Sequence, residues 1–379
     1  MRAWAESEPV RRWRRNTRAS GLPKTPWKRH ENQITWEFSE VLFPRWRSSP
    51  ARTFPADPKQ ESPLMADRIL RRDILQGLAA GGLFAGGAIA AGLTSGTAKP
   101  AEEEGGGGSI KQSIVYWCFN VAGEKWGIEK ICQVAKQLGC LSVELAPPET
   151  WPVIKKHGLT SAIVPNGMPG APFVKGFNNP RYHEEVIART TEAIDAAAEA
   201  GFPAVIAFTG FKWRDAEDPT SGEITREEGA DNCVAGFKKI VGHAEKKGVT
   251  ICLEHLNTRD DTHPMKGHPG YQGDDIDEVA QIVRRVGSDR LKLLFDIYHV
   301  QIMNGDVIRR IGEYPELIGH VHTAGNPGRG ELDDQQEIAY PAIMRKLIEV
   351  GYRGFVGQEF IPTRDPLAGL EQAVRLCDV

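Results

Sequence analysis

From residue 113 to the end of the chain, short apolar runs alternate with segments whose apolar positions recur at helical spacing. The runs cover 114–119, 141–145, 159–164, 204–208, 249–254, 291–296, 318–322 and 355–359, and read as short buried strands. Between them, 128–138, 183–200, 229–247, 275–286, 307–311, 340–350 and 367–376 read as helices. Gly139, Gly158, Gly201, Gly248 and Gly351 each stand between a helix and the next strand, where a left-handed C-cap residue belongs. This rhythm over 113–379 predicts an α/β fold, a single (βα)8 TIM barrel, which typically takes about 250 residues. An open doubly wound sheet is the other architecture with this alternation. No Gly-x-Gly-x-x-Gly follows the first run, so we expect no nucleotide cofactor.

The first 112 residues break the pattern. Residues 1–64 are rich in Arg, Trp and Pro without a sustained period. They read as a disordered basic and aromatic extension, with translation expected to start later, rather than as a nucleic-acid or membrane arm. Residues 65–98 have a short basic head carrying Arg71-Arg72, then an uncharged Gly/Ala-rich stretch. This predicts a twin-arginine-type signal segment, with 99–112 as a flexible linker. The stretch is too short and weakly apolar for a stable membrane span in the mature form. The expected location is periplasmic, with an N-terminal anchor as the alternative and the cytoplasm if the signal is not used.

Composition adds little. The chain has 379 residues, 40% hydrophobic and 26% charged, with a net charge of −3. That is ordinary for a globular protein and offers no case for nucleic acid as a partner. The six cysteines form no Cys-x-x-Cys pair and are expected to be small buried hydrophobes. A homo-oligomer is compatible with the sequence.

The chemistry sits at the ends of the last four runs. Glu254 and Asp296 close theirs, His322 ends 318–322, and Glu359 ends 355–359. A barrel brings the C-terminal ends of its strands to one face, so these residues are predicted to meet there. Three carboxylates and one imidazole suit a divalent cation, Mg²⁺ or Mn²⁺. Such a site suits proton transfer next to a carbonyl through an enediolate, with Glu254 and Glu359 as the acid/base pair. Around it, His299, Arg329, Glu144 and Asn257 are candidates for substrate binding, Arg329 through a substrate carboxylate. His320 is expected to turn away from His322 and to be structural. A Gly/Pro-rich lid is expected around 266–271. His263 and His268 in that region raise a zinc site as a minor alternative.

Several motifs carry a resemblance. Leu-Glu-His-Leu-Asn at 253–257, Leu-Phe-Asp-Ile-Tyr-His-Val-Gln at 294–301, Gly-His-Val-His-Thr-Ala-Gly-Asn-Pro-Gly-Arg at 319–329 and Tyr-Arg-Gly-Phe-Val-Gly-Gln-Glu at 352–359 resemble the hydroxypyruvate isomerase family. Trp117-Cys118-Phe119 and Ser142-Val143-Glu144-Leu145 look like that family's first two strands. The wider group is the xylose isomerase-like TIM barrels, which includes ketose 3-epimerases and endonuclease IV. The resemblance covers about 113–379 and implies interconversion of hydroxypyruvate and 2-hydroxy-3-oxopropanoate, with Glu254 and Glu359 as acid and base and Asp296 and His322 at metal positions. His322 stands where many hydroxypyruvate isomerases carry Gln and ketose epimerases carry His. The familiar His-Glu-Pro-Gly-Thr-Gly after Arg329 is replaced by Gly-Glu-Leu-Asp-Asp-Gln-Gln at 330–336, and His255 replaces a proline after Glu254. The expected substrate is a small hydroxy-oxo acid. An exported sugar (ketose) epimerase or isomerase is the alternative. A metal-dependent phosphodiesterase and a non-catalytic carbohydrate-binding barrel stand further back.

Overall fold

The computed structural model describes residues 110–379, apart from Pro264. The extension, signal segment and most of the linker (1–64, 65–98 and 99–109) lie outside the described residues. The strands are β1 (Lys111–Val115), β2 (Ser142–Glu144), β3 (Ala204–Phe208), β4 (Trp213–Asp215), β5 (Asp218–Glu223), β6 (Thr250–Glu254), β7 (Leu291–Asp296), β8 (Ile318–Thr323) and β9 (Phe355–Gln358). Seven of them form one parallel sheet in the order β2-β1-β9-β8-β7-β6-β3. Their side chains are almost wholly buried, because helices cover the outer face and the barrel interior takes the inner one.

The expected run 159–164 does not become a regular strand. It bridges both sheet edges instead, pairing Thr160 with Ser142 on β2 and Val164 with Val205 on β3. Main-chain bonds such as Leu145 N to Ile163 O (3.0 Å) and Val164 N to Ala204 O (2.9 Å) close the ring. The ladder is interrupted because the Ser142 hydroxyl accepts the Ala162 N–H at 2.8 Å, and Ser161 turns its own hydroxyl onto Ile163 O. The first strand also ends earlier than expected. Trp117 caps a short helix, Cys118–Val121, so Trp117-Cys118-Phe119 leaves the sheet at the barrel mouth.

Helices fall where the periodicity places them, including His183–Ala200, Arg226–Lys247, Ile276–Val286, Tyr340–Glu349 and Pro366–Cys377. Gly201 and Gly248 end the first two in the left-handed conformation, with φ of 73° and 71°, which a side chain would disfavour. The Thr225 hydroxyl accepts the Glu228 N–H, and the Asp275 carboxylate accepts those of Asp277 and Glu278, as N-caps do. An exposed antiparallel hairpin, β4–β5, is an insertion that the pattern does not announce. All six cysteines are buried and unpaired. No helix among the described residues is long and apolar enough to cross a membrane.

Candidate metal centre

Register brings the four expected residues together. Asp296 at the end of β7 pairs with His322 on β8, and His322 lies opposite Gly357 on β9. Glu359 follows β9, its amide bonded to Thr323 O at 2.9 Å. One ligating atom from each of Glu254, Asp296, His322 and Glu359 lies within 4.8 Å of all the others. All four side chains are buried.

The donor set fits a hard divalent cation by its loose ends. Glu254 Oε1, Asp296 Oδ2 and His322 Nδ1 are buried and make no well-directed hydrogen bond. Buried polar atoms left in that state are costly, and a cation among the three would satisfy them. His322 Nδ1 lies 3.1 Å from Glu359 Oε2 and 3.8 Å from Glu254 Oε1. Asp296 divides its work. Oδ1 caps the following helix, Ile297–Met303, by accepting the Tyr298 and His299 N–H groups, and Oδ2 is left for the centre.

The electrostatics separate the two glutamates. Burial and the neighbouring Glu359 raise Glu254 above the usual carboxylate range. Burial also works against ionisation of Glu359, but Arg329 and His322 outweigh it and hold that carboxyl well below its ordinary value. Burial and Glu359 raise Asp296.

Arg329 is almost fully buried and donates from Nη2 to Glu359 Oε2 at 2.6 Å, with Asp296 Oδ2 at 3.8 Å. Its Nη1 donates to Met265 O, and its guanidinium stacks over Trp117 and Tyr298, 5.1 and 5.7 Å from the ring centroids. Tyr298 donates to Lys266 O at 2.7 Å. Arg329 and Tyr298 thus hold the 265–266 backbone across the mouth, beside the region expected as a lid.

His299 presents an N–H to the same centre. Its Nδ1 accepts the Asn257 backbone N–H at 3.1 Å and faces Asn257 Nδ2 at 2.7 Å, so Nε2 carries the proton. Nε2 points toward Asp296 Oδ2, 3.5 Å away. Burial and Arg329 keep the ring neutral. Asn257 itself is fully engaged. Nδ2 also donates to Lys266 O, and Oδ1 accepts the Asp260 N–H, so its side chain shapes the loop and has no group free for a substrate.

Glu144 and His320 are placed differently from expectation. Glu144 Oε1 lies 2.8 Å from Nε2 of both His320 and His322. His320 does not turn away from His322. Residues two apart on a strand share a face, and the two rings sit 4.9 Å apart. Burial disfavours the Glu144 carboxylate, but the two histidines overcome it and hold it down at about 2.

Sequence reasoning did not place Trp117 at the site and named His268 only as a minor zinc alternative. Trp117 Nε1 donates to Glu359 Oε1 at 3.1 Å. Only the early end of β1 reveals that it stands at the mouth. His268 is buried, edge-on to Phe173 and to His299. Neither His263 nor His268 joins a cluster of ligating atoms among the described residues. Burial, then Arg329, lowers His268 to about 3, against about 6.5 in an unfolded chain. Between those values the unfolded chain binds the extra proton, so this group costs stability as pH falls from 6.5 toward 3. We expect the unfolding midpoint of His268→Phe to drop less than that of the wild type between pH 6.5 and 4. Equal slopes in denaturant titrations would refute the assignment.

The family model for xylose isomerase-like TIM barrels matches residues 132–378. The chain belongs to that family. Among its relatives, a 2-oxo-tetronate isomerase of Cupriavidus necator is 38% identical over 127 residues, 34% of this chain and 46% of that protein. A hydroxypyruvate isomerase of Escherichia coli is 30% identical over 126 residues, 33% of this chain and 43% of that protein. These matches span under half the length of the relatives. Among solved structures, an AP endonuclease of family 2 from Brucella melitensis superposes with a TM-score of 0.58 at 26% identity, covering 69% of this chain and 97% of that one.

Proposed function

We propose that this member of the xylose isomerase-like barrels is an isomerase that moves a proton between adjacent carbons of a small hydroxy-oxo acid. Hydroxypyruvate and 2-hydroxy-3-oxopropanoate are its best-supported pair. The observation that carries this reading is the convergence of Glu254, Asp296, His322 and Glu359, three of them with a buried unpartnered ligand atom. These four would hold Mg²⁺ or Mn²⁺, and such an ion supplies Lewis-acid polarisation of the substrate carbonyl.

The remaining work belongs to side chains. A proton leaves C3 of hydroxypyruvate and one is delivered to C2, while the C3 hydroxyl proton passes to the C2 oxygen, so the formula is unchanged. Glu359, held ionised by Arg329, takes the carbon proton, and Glu254 returns one. The His299 Nε2–H is aimed to donate to a substrate oxygen. Among the described residues, Arg329 brings a guanidinium to the centre, where its Nη2 donates to the Glu359 carboxylate, and the same cation would attract the carboxylate of a substrate acid. Trp117, Tyr298 and the 265–266 backbone pack round it and exclude water.

Relatives named for hydroxypyruvate and 2-oxo-tetronate support an acid substrate. The second reading, a ketose epimerase, is favoured by an imidazole at 322, and use of the 65–98 segment for export would add to it. A nuclease reading, which the name of the Brucella structure would favour, fits less well, since among the described residues only one histidine joins the four-residue centre. Initial rates on hydroxypyruvate, 2-oxo-tetronate and a set of neutral ketoses, with Mn²⁺ present, test the choice. We expect kcat/KM for an acid to exceed that for any neutral ketose at least tenfold. A neutral ketose preferred over both acids would replace this substrate class with the second reading.

A further inference from the structure

Behind the four-residue centre lies a second buried cluster, Glu144, His320 and His322, of which the reaction above uses His322 alone. His322 belongs to both groups. One ring nitrogen, Nδ1, faces Glu359 and Glu254, and the other, Nε2, faces Glu144 Oε1 at 2.8 Å. A neutral imidazole carries one proton, and a ligand nitrogen must have none. The partner of Nε2 therefore decides whether Nδ1 can serve the centre. A carboxylate oxygen can only accept, so Glu144 keeps a proton on Nε2, and Nδ1, which faces Glu254 and Glu359, is the nitrogen left to offer its lone pair when a cation takes its place among them.

The surroundings are built for this contact. His320 Nε2 reaches the same Oε1 at 2.8 Å, so that oxygen is tied from two directions. Gly357, opposite His322 in the sheet, leaves the space, since a Cβ there would collide with Glu144 Oε1 and His322 Cδ2. All three side chains are at most 2% exposed, which keeps water from competing for the hydrogen bonds.

We propose that Glu144 is a positioning residue: it holds His322 in the one tautomer and ring orientation that offer Nδ1 to the metal centre, with His320 as the second anchor of its carboxylate. This rests on the metal reading of the centre. It assigns Glu144 no contact with substrate, in contrast to the expectation from sequence. Outer partners of ligating histidines typically contribute 10–100-fold in metal affinity.

The test uses the full chain as wild type, Glu144→Ala and Glu144→Gln. Mn²⁺ binding is followed by loss of the free-ion electron paramagnetic resonance signal, and imidazole N–H protons by NMR without added metal. Folding of each variant is checked by its thermal melt. We expect Mn²⁺ affinity to fall about 10–100-fold in Glu144→Ala, with Glu144→Gln, which keeps the shape and an acceptor oxygen, in between. The far-downfield Nε2–H signals of His320 and His322 should disappear from Glu144→Ala, and its kcat should fall at saturating Mn²⁺ with little change in KM. Wild-type Mn²⁺ affinity in a folded Glu144 variant, or a rise confined to KM, would overturn the positioning role while leaving the metal reading standing. A wild-type chain that binds no Mn²⁺ would overturn both.

Discussion

Glu359→Gln is expected to lower kcat by about 10³-fold or more, within the 10²–10⁴-fold range that a positioned acid or base contributes. The amide keeps the shape and one oxygen but cannot take a proton from carbon. The wild-type carboxylate spends both oxygens at the centre. Oε1 accepts from Trp117, and Oε2 meets Arg329 and His322. Gln retains an acceptor for one of these, and Glu254, Asp296 and His322 are untouched, so Mn²⁺ binding should weaken without disappearing. Steady-state rates beside an Mn²⁺ titration separate the two effects. Near-full turnover in this variant would refute the acid/base assignment, and complete loss of metal binding would make Glu359 chiefly a ligand.

Replacing Arg329 should have the largest effect on stability. Arg329→Met keeps an apolar stem against Trp117 and Tyr298 but removes the cation between Glu359 and Asp296. Breaking a buried ion pair by deleting one partner costs about 3–5 kcal/mol, because the other charge is left buried and unpaired. In a domain of this size that corresponds to a fall in Tm of roughly 10 °C. Added Mn²⁺ supplies positive charge to the same carboxylates, so it should raise the Tm of Arg329→Met more than that of the wild type. The variant should also lose more kcat/KM toward hydroxypyruvate than toward a neutral ketose, since the guanidinium keeps Glu359 ionised for both substrates but pairs with the carboxylate of the acid alone. Thermal melts with and without Mn²⁺, together with the two kcat/KM ratios, check both statements. An unchanged melting temperature would show that the pair contributes nothing net, and equal losses on both substrates would remove Arg329 from acid recognition.

Much of this arrangement is legible in the chain because barrel topology converts a linear rule into a spatial one. An apolar run that ends in Glu254, Asp296, His322 or Glu359 places that side chain at a strand's C-terminal end, and parallel closure brings the ends together. The helices are legible for a similar reason, through apolar period and glycine caps such as Gly201 and Gly248. What escaped depends on side chains rerouting the backbone or on register. The run 159–164 looks like a strand, yet the Ser142 hydroxyl intercepts the Ala162 amide and leaves only bridges. The hairpin β4–β5 is too polar to announce itself. Trp117 reads as strand interior until β1 is seen to end at Val115.

Glu144 and His320 teach a different lesson. Glu144 was visible as a candidate for substrate binding and His320 as a structural histidine, but their roles follow from which ring nitrogen faces which oxygen, and no spacing rule supplies that. His320 shares a face with His322 by the two-residue period itself, and only the partner on β2 turns that into a function. Asn257 is likewise placed near the mouth by sequence, yet every polar atom of its side chain is taken by His299 and the loop that follows β6.

The most direct test of the central claim is solvent-deuterium incorporation into hydroxypyruvate, followed by NMR with the full chain. It is run with Mn²⁺ and again with excess chelator. Proton transfer between adjacent carbons by Glu254 and Glu359 predicts deuterium at carbon in the presence of Mn²⁺, little or none with chelator, and none with Glu359→Gln. Incorporation that persists unchanged under chelation would contradict the metal centre, and conversion without any deuterium entering carbon would contradict exchangeable proton transfer by the two glutamates.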